Sequence, residues 1–252
     1  MNIDNVLQSL LDLIYPPRCE VCGVLGPLAL CDTCATDMVL VEAPYCQRCG
    51  LLQPVGTPQS TCPDCRDHRL HYDAARCVGL HTGSLRRAIL NFKFENRRRL
   101  QEPLGALLAQ RIEEEPELPL RQVDCLVPVP LHSSRRDWRG FDQALYLARG
   151  VEKRLGLPVL SDGLIRTRPT TPQVQLSPTQ RHENIKGAFA GRPSLQGKKI
   201  LLLDDVFTTG ATANEAAKAA RQSGATRVYV LTISRPAPAW HPAAIVGQPG
   251  DQ

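Results

Sequence analysis

Eight of the ten cysteines fall in four Cys-x-x-Cys pairs: Cys19 with Cys22, Cys31 with Cys34, Cys46 with Cys49, and Cys62 with Cys65. A Cys-x-x-Cys turn lets two thiolates face one ion, and two such turns complete the tetrahedral sulfur cage that Zn²⁺ prefers. Four turns predict two zinc ions. The loop lengths permit either neighbouring or alternate pairs to share an ion, and neighbours are the expectation. A disulfide framework is opposed by a reducing compartment, and a redox dithiol needs one pair in a strand-helix-strand setting. The segment has few long apolar runs, so metal is expected to supply much of its folding free energy. Cys77 and Cys125 stand alone inside apolar strand-like runs and read as buried structural thiols. His68 and His71 follow the last pair, but the four sulfur pairs are complete without them.

The remaining composition is that of a folded chain. With 252 residues, 42% apolar and 22% charged, it fits one ordinary domain plus a smaller module and excludes a disordered polymer. Aromatics are only 5%, so the core must rest on Leu, Val, Ile and Ala. The net charge of +5 is too mild by itself to imply a polyanionic partner. No apolar run is long enough to span a bilayer, and the first residues lack a basic leader and a small-residue cleavage site, so a cytoplasmic location is expected. Residues 1–17 read as an amphipathic helix on Val6, Leu7, Leu10, Leu11 and Ile14, stopped by Pro16 and Pro17. Residues 18–70 are then the cysteine-rich module, 73–235 the main domain, and 236–252 a loosely ordered tail.

In the main domain apolar runs alternate with helical stretches, which predicts an α/β fold with a mostly parallel sheet flanked by helices. Strands are expected at 74–80, 123–130, 198–206 and 226–234, and helices near 84–92, 98–114, 139–155 and 211–223. Sheets of this kind bind ligands beyond the carboxyl ends of their strands. The run KILLLDDVFTTGATANEAAKAA at 199–220 has the parts of such a site. Ile200 to Leu203 form an apolar strand, Asp204 and Asp205 end it, and Thr208, Thr209, Gly210, Ala211 and Thr212 lead into an Ala-rich helix. Amides at a helix N-terminus, aided by the helix dipole, hold phosphate, and glycine permits close backbone approach. Two adjacent carboxylates can accept hydrogen bonds from vicinal hydroxyls of a sugar attached to that phosphate. A sugar phosphate is the ligand these residues predict. A second strand-end loop, VPVPLHSSRRDWRGFDQALYLAR, offers Arg135, Arg136 and Arg139 as donors to a pyrophosphate.

The stretch LLLDDVFTTGAT resembles the binding motif of the phosphoribosyltransferases for phosphoribosyl pyrophosphate (PRPP). That resemblance implies ribose contacts from Asp204 and Asp205, which would set ribose geometry in any catalysis, and a 5′-phosphate turn at Thr208 to Thr212. The leading cysteine pairs with FKFENRRRL, VPVPLHSSRRDWRGFDQA, RTRPTTPQVQLSPTQRHENIKGAF and LLLDDVFTTGAT resemble the ComF family, which includes the competence ComF and GntX proteins, over nearly the whole chain. Asp142 departs from the Asn that many members carry there. The resemblance implies a type I phosphoribosyltransferase-like fold behind a double zinc ribbon. It further implies a cytoplasmic protein that binds PRPP with Mg²⁺ and, in competent bacteria, helps bring single-stranded DNA into the cytoplasm alongside DNA-uptake proteins. A phosphoribosyltransferase with an undefined acceptor is one form of this function. A salvage enzyme acting on a free nucleobase and a non-catalytic PRPP sensor are the alternatives, and pyrophosphate release in a nucleobase screen separates the first of these.

Residues 84–100 carry six basic side chains against Glu95, with Phe92 and Phe94 between them. Such a mixture suits a single nucleic-acid strand, with Arg97, Arg98 and Arg99 as the contacts. The competing expectation is a short strand with both phenylalanines facing the core. Polar residues 166–187 read as a lid over the sugar site or as a plain surface excursion, and 113–119 as a loop without chemistry.

Overall fold

The computed structural model describes residues 16–58, 60–115, 117–132, 140–171 and 177–246. The expected N-terminal helix on Val6 to Ile14, the arginines 135, 136 and 139, and the last residues of the tail lie outside them. The apolar runs build one parallel sheet: β1 (Ala74–Leu80), β2 (Cys125–Pro128), β5 (Lys199–Val206) and β6 (Arg227–Arg235), in the order β1-β6-β5-β2. Parallel strands covered on both faces need no polar alternation, which is why all seven residues of β1 are buried. Register follows from Leu201 opposite Tyr229 and Leu126 opposite Leu201.

Three helices cover one face: α3 (Gly83–Phe94), α4 (Gln101–Glu114) and α5 (Gln143–Leu155). Leu85, Ile89, Leu104, Leu108 and Leu147 pack there against Leu126, Leu201, Leu203 and Leu231. Helices α4 and α5 cross at Gly105 and Gly150, so closely that a Cβ on Gly105 would lie 3.0 Å from the Gly150 Cα. The other face takes α7 (Ala211–Gln222), whose Ala213, Ala216, Ala217 and Ala220 meet Ile200, Leu202, Val228 and Val230.

The cysteine-rich segment holds two short helices, α1 (Asp32–Thr36) and α2 (Pro63–Asp67), each starting beside a cysteine pair. Its second half belongs to the main core, where Cys46, Cys49 and Cys62 share one apolar cluster with Tyr72, Phe207 and Ala211. Between the two halves, residues 39–41 run antiparallel along β1: Val41 N–H donates to the Val78 carbonyl, and Leu80 N–H to that of Val39. On the far side, Leu126 N–H of β2 donates to the Pro158 carbonyl, and Leu160 N–H donates to that of Leu126. Arg76 of β1 is buried, with its Nε 3.2 Å from Glu115 and its guanidinium stacked 4.6 Å from the Tyr45 ring centre. Arg111 approaches the same carboxylate at 2.9 Å. The segment read as a loop without chemistry therefore supplies a fully buried acid that ties Tyr45 to the sheet.

A hairpin absent from the sequence reading, β3 (Leu164–Arg166) with β4 (Phe189–Gly191), encloses the polar stretch considered as a lid. Within it α6 (Pro178–Ile185) is started by a capping box of Ser177 and Gln180 and anchored by fully buried Ile185. Helix α8 (Pro242–Val246) follows β6, and Ala243 packs near Val41 and Tyr45. The α/β class, the parallel sheet flanked by helices and the cysteine-rich zinc module are those the phosphoribosyltransferase-like resemblance implies.

Candidate functional site

The two sets of four thiols are Cys19, Cys22, Cys31, Cys34 and Cys46, Cys49, Cys62, Cys65, so neighbouring pairs combine as expected. Within each set all Sγ atoms lie inside 4.8 Å of one another. A tetrahedral zinc site with Zn–S of about 2.3 Å has sulfur edges of about 3.8 Å. The distances fit: Cys22 Sγ to Cys31 Sγ is 3.7 Å and Cys49 Sγ to Cys62 Sγ is 3.8 Å. Backbone donors also prepare the thiolates that a metal requires. Val21 and Cys31 N–H groups reach Cys19 Sγ at 3.4 Å, and Cys62 N–H reaches Cys46 Sγ at 3.3 Å. Burial alone pushes Cys19 up, but its backbone donors outweigh that and bring it down to about 6. Hydrogen bonds from the Cys49 and Cys65 thiols hold Cys46 far below the ordinary range. Cys77 and Cys125 are buried singly and their thiols are raised by burial. His68 Nδ1 faces the Asp64 carbonyl at 2.8 Å, and the His71 amide bonds Asn214.

The second candidate site sits at the carboxyl end of β5. Asp204 and Asp205 are followed by Val206, which closes the strand; Thr208 and Thr209 line the turn, and Gly210 enters α7 with φ +77° in the left-handed region. A Cβ at Gly210 would meet the Phe207 ring at 2.6 Å, so this position requires glycine for both backbone and space. Gly210, at the N-cap, has no side chain to cap α7, and the Ala211 N–H donates to Thr209 Oγ1 at 3.4 Å, so the turn's own threonine reaches the start of the helix. A shallow pocket joins Asp204, Phe207, Thr208, Gly210, Thr212 and Thr232. Of the sequence-predicted residues, Asp204, Thr208, Gly210 and Thr212 line this pocket, whereas the Asp205 carboxylate turns to Lys93 of α3.

Several side chains that the motif did not indicate complete this end of the sheet. Lys93 at the end of α3 pairs with Asp205 at 2.8 Å. Burial, with the neighbouring Asp205 charge second, pushes the Asp204 carboxyl up to about 7, against the pull of its backbone bond, Lys93 and Arg166. His81, just after β1, places Nδ1 2.8 Å from Ser234 Oγ, and burial pushes its imidazole down to about 4. Arg235 closes the back of the loop: it donates to the Cys49 carbonyl at 2.8 Å while its guanidinium lies 5.4 Å from the Phe207 ring centre. Lys93 was visible in FKFENRRRL, but only as one basic residue among six. No local pattern marks the His81 or Arg235 contacts.

The residues proposed for nucleic acid take a different arrangement from the one expected. Phe92 and Phe94 lie in a helix, where a spacing of two puts side chains on different faces. Phe92 is 1% exposed and Phe94 is 52% exposed, which corrects the expectation of a short strand with both facing the core. Arg97 and Arg99 converge on Glu20 of the first cysteine module at 3.2 and 3.3 Å. Arg98 instead lies over the rings of Phe141 and Tyr146, at 5.3 and 5.9 Å.

Comparison with known proteins agrees with these features. Residues 10–66 match the family model of the double zinc ribbon domain, so the two four-cysteine sites are zinc-ribbon sites for two zinc ions. The described residues hold no helix long and apolar enough to cross a membrane. Among solved structures the chain is similar to glutamine PRPP amidotransferase from B. subtilis, solved with ADP and GMP. The match has 20% identity and a TM-score of 0.38, and covers 57% of this chain and 30% of that enzyme. The chain is 29% identical to Competence protein F of Haemophilus influenzae over 69% of its own length and 78% of that protein's. It is 33% identical to the DNA utilization protein YhgH of Salmonella typhi over 231 residues, 88% of this chain and 99% of the relative. With that coverage of relatives, and the zinc ribbons leading a parallel α/β domain, this chain belongs to the ComF family.

Proposed function

We propose that the loop after β5 binds PRPP. In this reading, amides at Thr208 to Thr212 take the 5′-phosphate, and Asp204 and Asp205 accept hydrogen bonds from the ribose hydroxyls. Arg135, Arg136 and Arg139 are assigned to the pyrophosphate. Mg²⁺ bound with the ligand would neutralise charge on the pyrophosphate. The observation that carries the reading is the adjacent pair Asp204 and Asp205 at the end of β5, followed at once by a turn that enters α7 through a left-handed glycine. Any transfer reaction here would rest on fixing the phosphate and the ribose rather than on a protein nucleophile.

The cellular role we assign is the handling of incoming single-stranded DNA on the cytoplasmic side. The relatives named for competence and for DNA utilization support it, as does the basic surface beside the first zinc ribbon.

Calorimetric titration of zinc-loaded protein with PRPP and Mg²⁺ tests the ligand. Asp204→Asn and Asp205→Asn should each weaken binding while the protein stays folded. Affinity unchanged from the parent in both variants, or no binding to the parent protein, overturns the assignment.

A further inference from the structure

A groove of about 750 Å³ runs between the first zinc ribbon and the crossing of α4 and α5, and is lined in part by Leu28, Arg98, Arg149, Lys153 and Arg154. We infer that this groove is the path of a single nucleic-acid strand, with Lys153 and Arg154 of α5 as phosphate contacts. The inference rests on the DNA-handling role proposed above and locates it on the molecule.

Its two walls differ in chemistry. One is the ribbon segment from Pro27 to Leu30, on which Leu28 is 50% exposed. The other is cationic: five Lys and Arg residues line the groove against the one carboxylate of Glu102. Lys153 and Arg154 are exposed and make no ion pair with any described residue. The other cations are partly committed, since Arg149 pairs with Glu152 at 2.6 Å, and Arg99 holds Glu20 and the Pro27 carbonyl. Arg99 thereby fixes the apolar wall against the cationic one. A single strand presents base faces on one side and phosphates on the other, which matches an apolar wall opposite a cationic one. A duplex hides its base faces and would leave the Leu28 wall without a partner.

The test is fluorescence anisotropy with a labelled oligodeoxythymidine of about 20 nucleotides. Matched duplex, the equivalent RNA strand and anionic phosphatidylglycerol vesicles are the comparison arms. Lys153→Gln with Arg154→Gln should weaken single-strand binding about tenfold near physiological salt and flatten the log–log salt slope by about 1.4. Arg192→Gln with Lys199→Gln, the same charge change on exposed residues outside the groove, should do neither. PRPP affinity serves as the fold control and should be equal in both variants. Equal affinity and slope in the groove variant and its control overturn the groove assignment while leaving a DNA role standing. No single-strand binding by the parent protein overturns both. Tighter binding to duplex or to vesicles overturns the single-strand reading, whereas comparable binding of DNA and RNA supports it.

Discussion

Lys93 Nζ lies 2.8 Å from Asp205 Oδ2, so the end of α3 supplies the counter-charge for the acid pair at the end of β5. The two side chains are only 15% and 19% exposed, which puts the pair between the weak surface regime and the strongly coupled buried one. A double-mutant cycle of Lys93→Ala and Asp205→Asn should therefore give a coupling of about 1–2 kcal/mol in urea unfolding. Lys93→Ala alone should raise the Asp204 carboxyl further, because Lys93 holds it down. Additive effects of the two substitutions would mean that the contact contributes nothing in solution.

Asp204 and His81 pull stability in opposite directions as pH changes. The folded protein keeps the Asp204 proton up to about 7, far above the ordinary 3.8, so rising pH ionises the unfolded chain first and stability falls between those values. Folded His81 stays neutral down to about 4 against an ordinary 6.5, so its contribution is complete above 6.5 and is lost as pH falls toward 4. Relative to the parent protein, Asp204→Asn should gain stability as pH rises from 4 to 6.5, and His81→Gln should lose it. Denaturation midpoints across that range check both signs.

The zinc sites should differ in cost. Cys46 is fully buried in the cluster that also holds Phe207 and Ala211, whereas Cys22 is exposed. Cys46→Ser should lower stability by on the order of 3–5 kcal/mol, and Cys22→Ser should leave the cooperative unfolding of the sheet in place. Thermal unfolding with a chromogenic count of zinc released per chain distinguishes the two. A mild chelator should extract the first ion before the second.

Gly210→Ala should damage the phosphate loop without unfolding the protein. Alanine at φ +77° costs about 1 kcal/mol, and its methyl must displace the Phe207 ring. PRPP affinity should fall at least about tenfold while the circular dichroism spectrum is retained. An unchanged affinity would show that the α7 amides do not carry the phosphate.

Much of the sheet was legible because parallel strands buried on both faces are written as uninterrupted apolar runs, and Ile200 to Leu203 is one. The zinc pairing was legible to chemistry but not to spacing, since loop length allowed either arrangement and only the Sγ positions decide. The β3–β4 hairpin escaped because three-residue strands such as Leu164–Arg166 have no periodicity to detect. Lys93, Arg97 and Arg99 form one basic patch along the chain, yet the partners that sort them, Asp205 and Glu20, lie far away in sequence. Charge composition is visible along a chain, whereas its neutralisation is a property of the fold.

The residues flanking the sheet set a limit on how this protein can meet others. Residues 39–41 occupy the free side of β1 and residues 158–160 that of β2. Over those stretches the edge amides and carbonyls are already engaged, which blunts strand addition and edge-to-edge joining of the four-stranded sheet there. Recruitment at those stretches has to work through side-chain chemistry, so surface substitutions rather than backbone-blocking peptides are the means to interrupt it there.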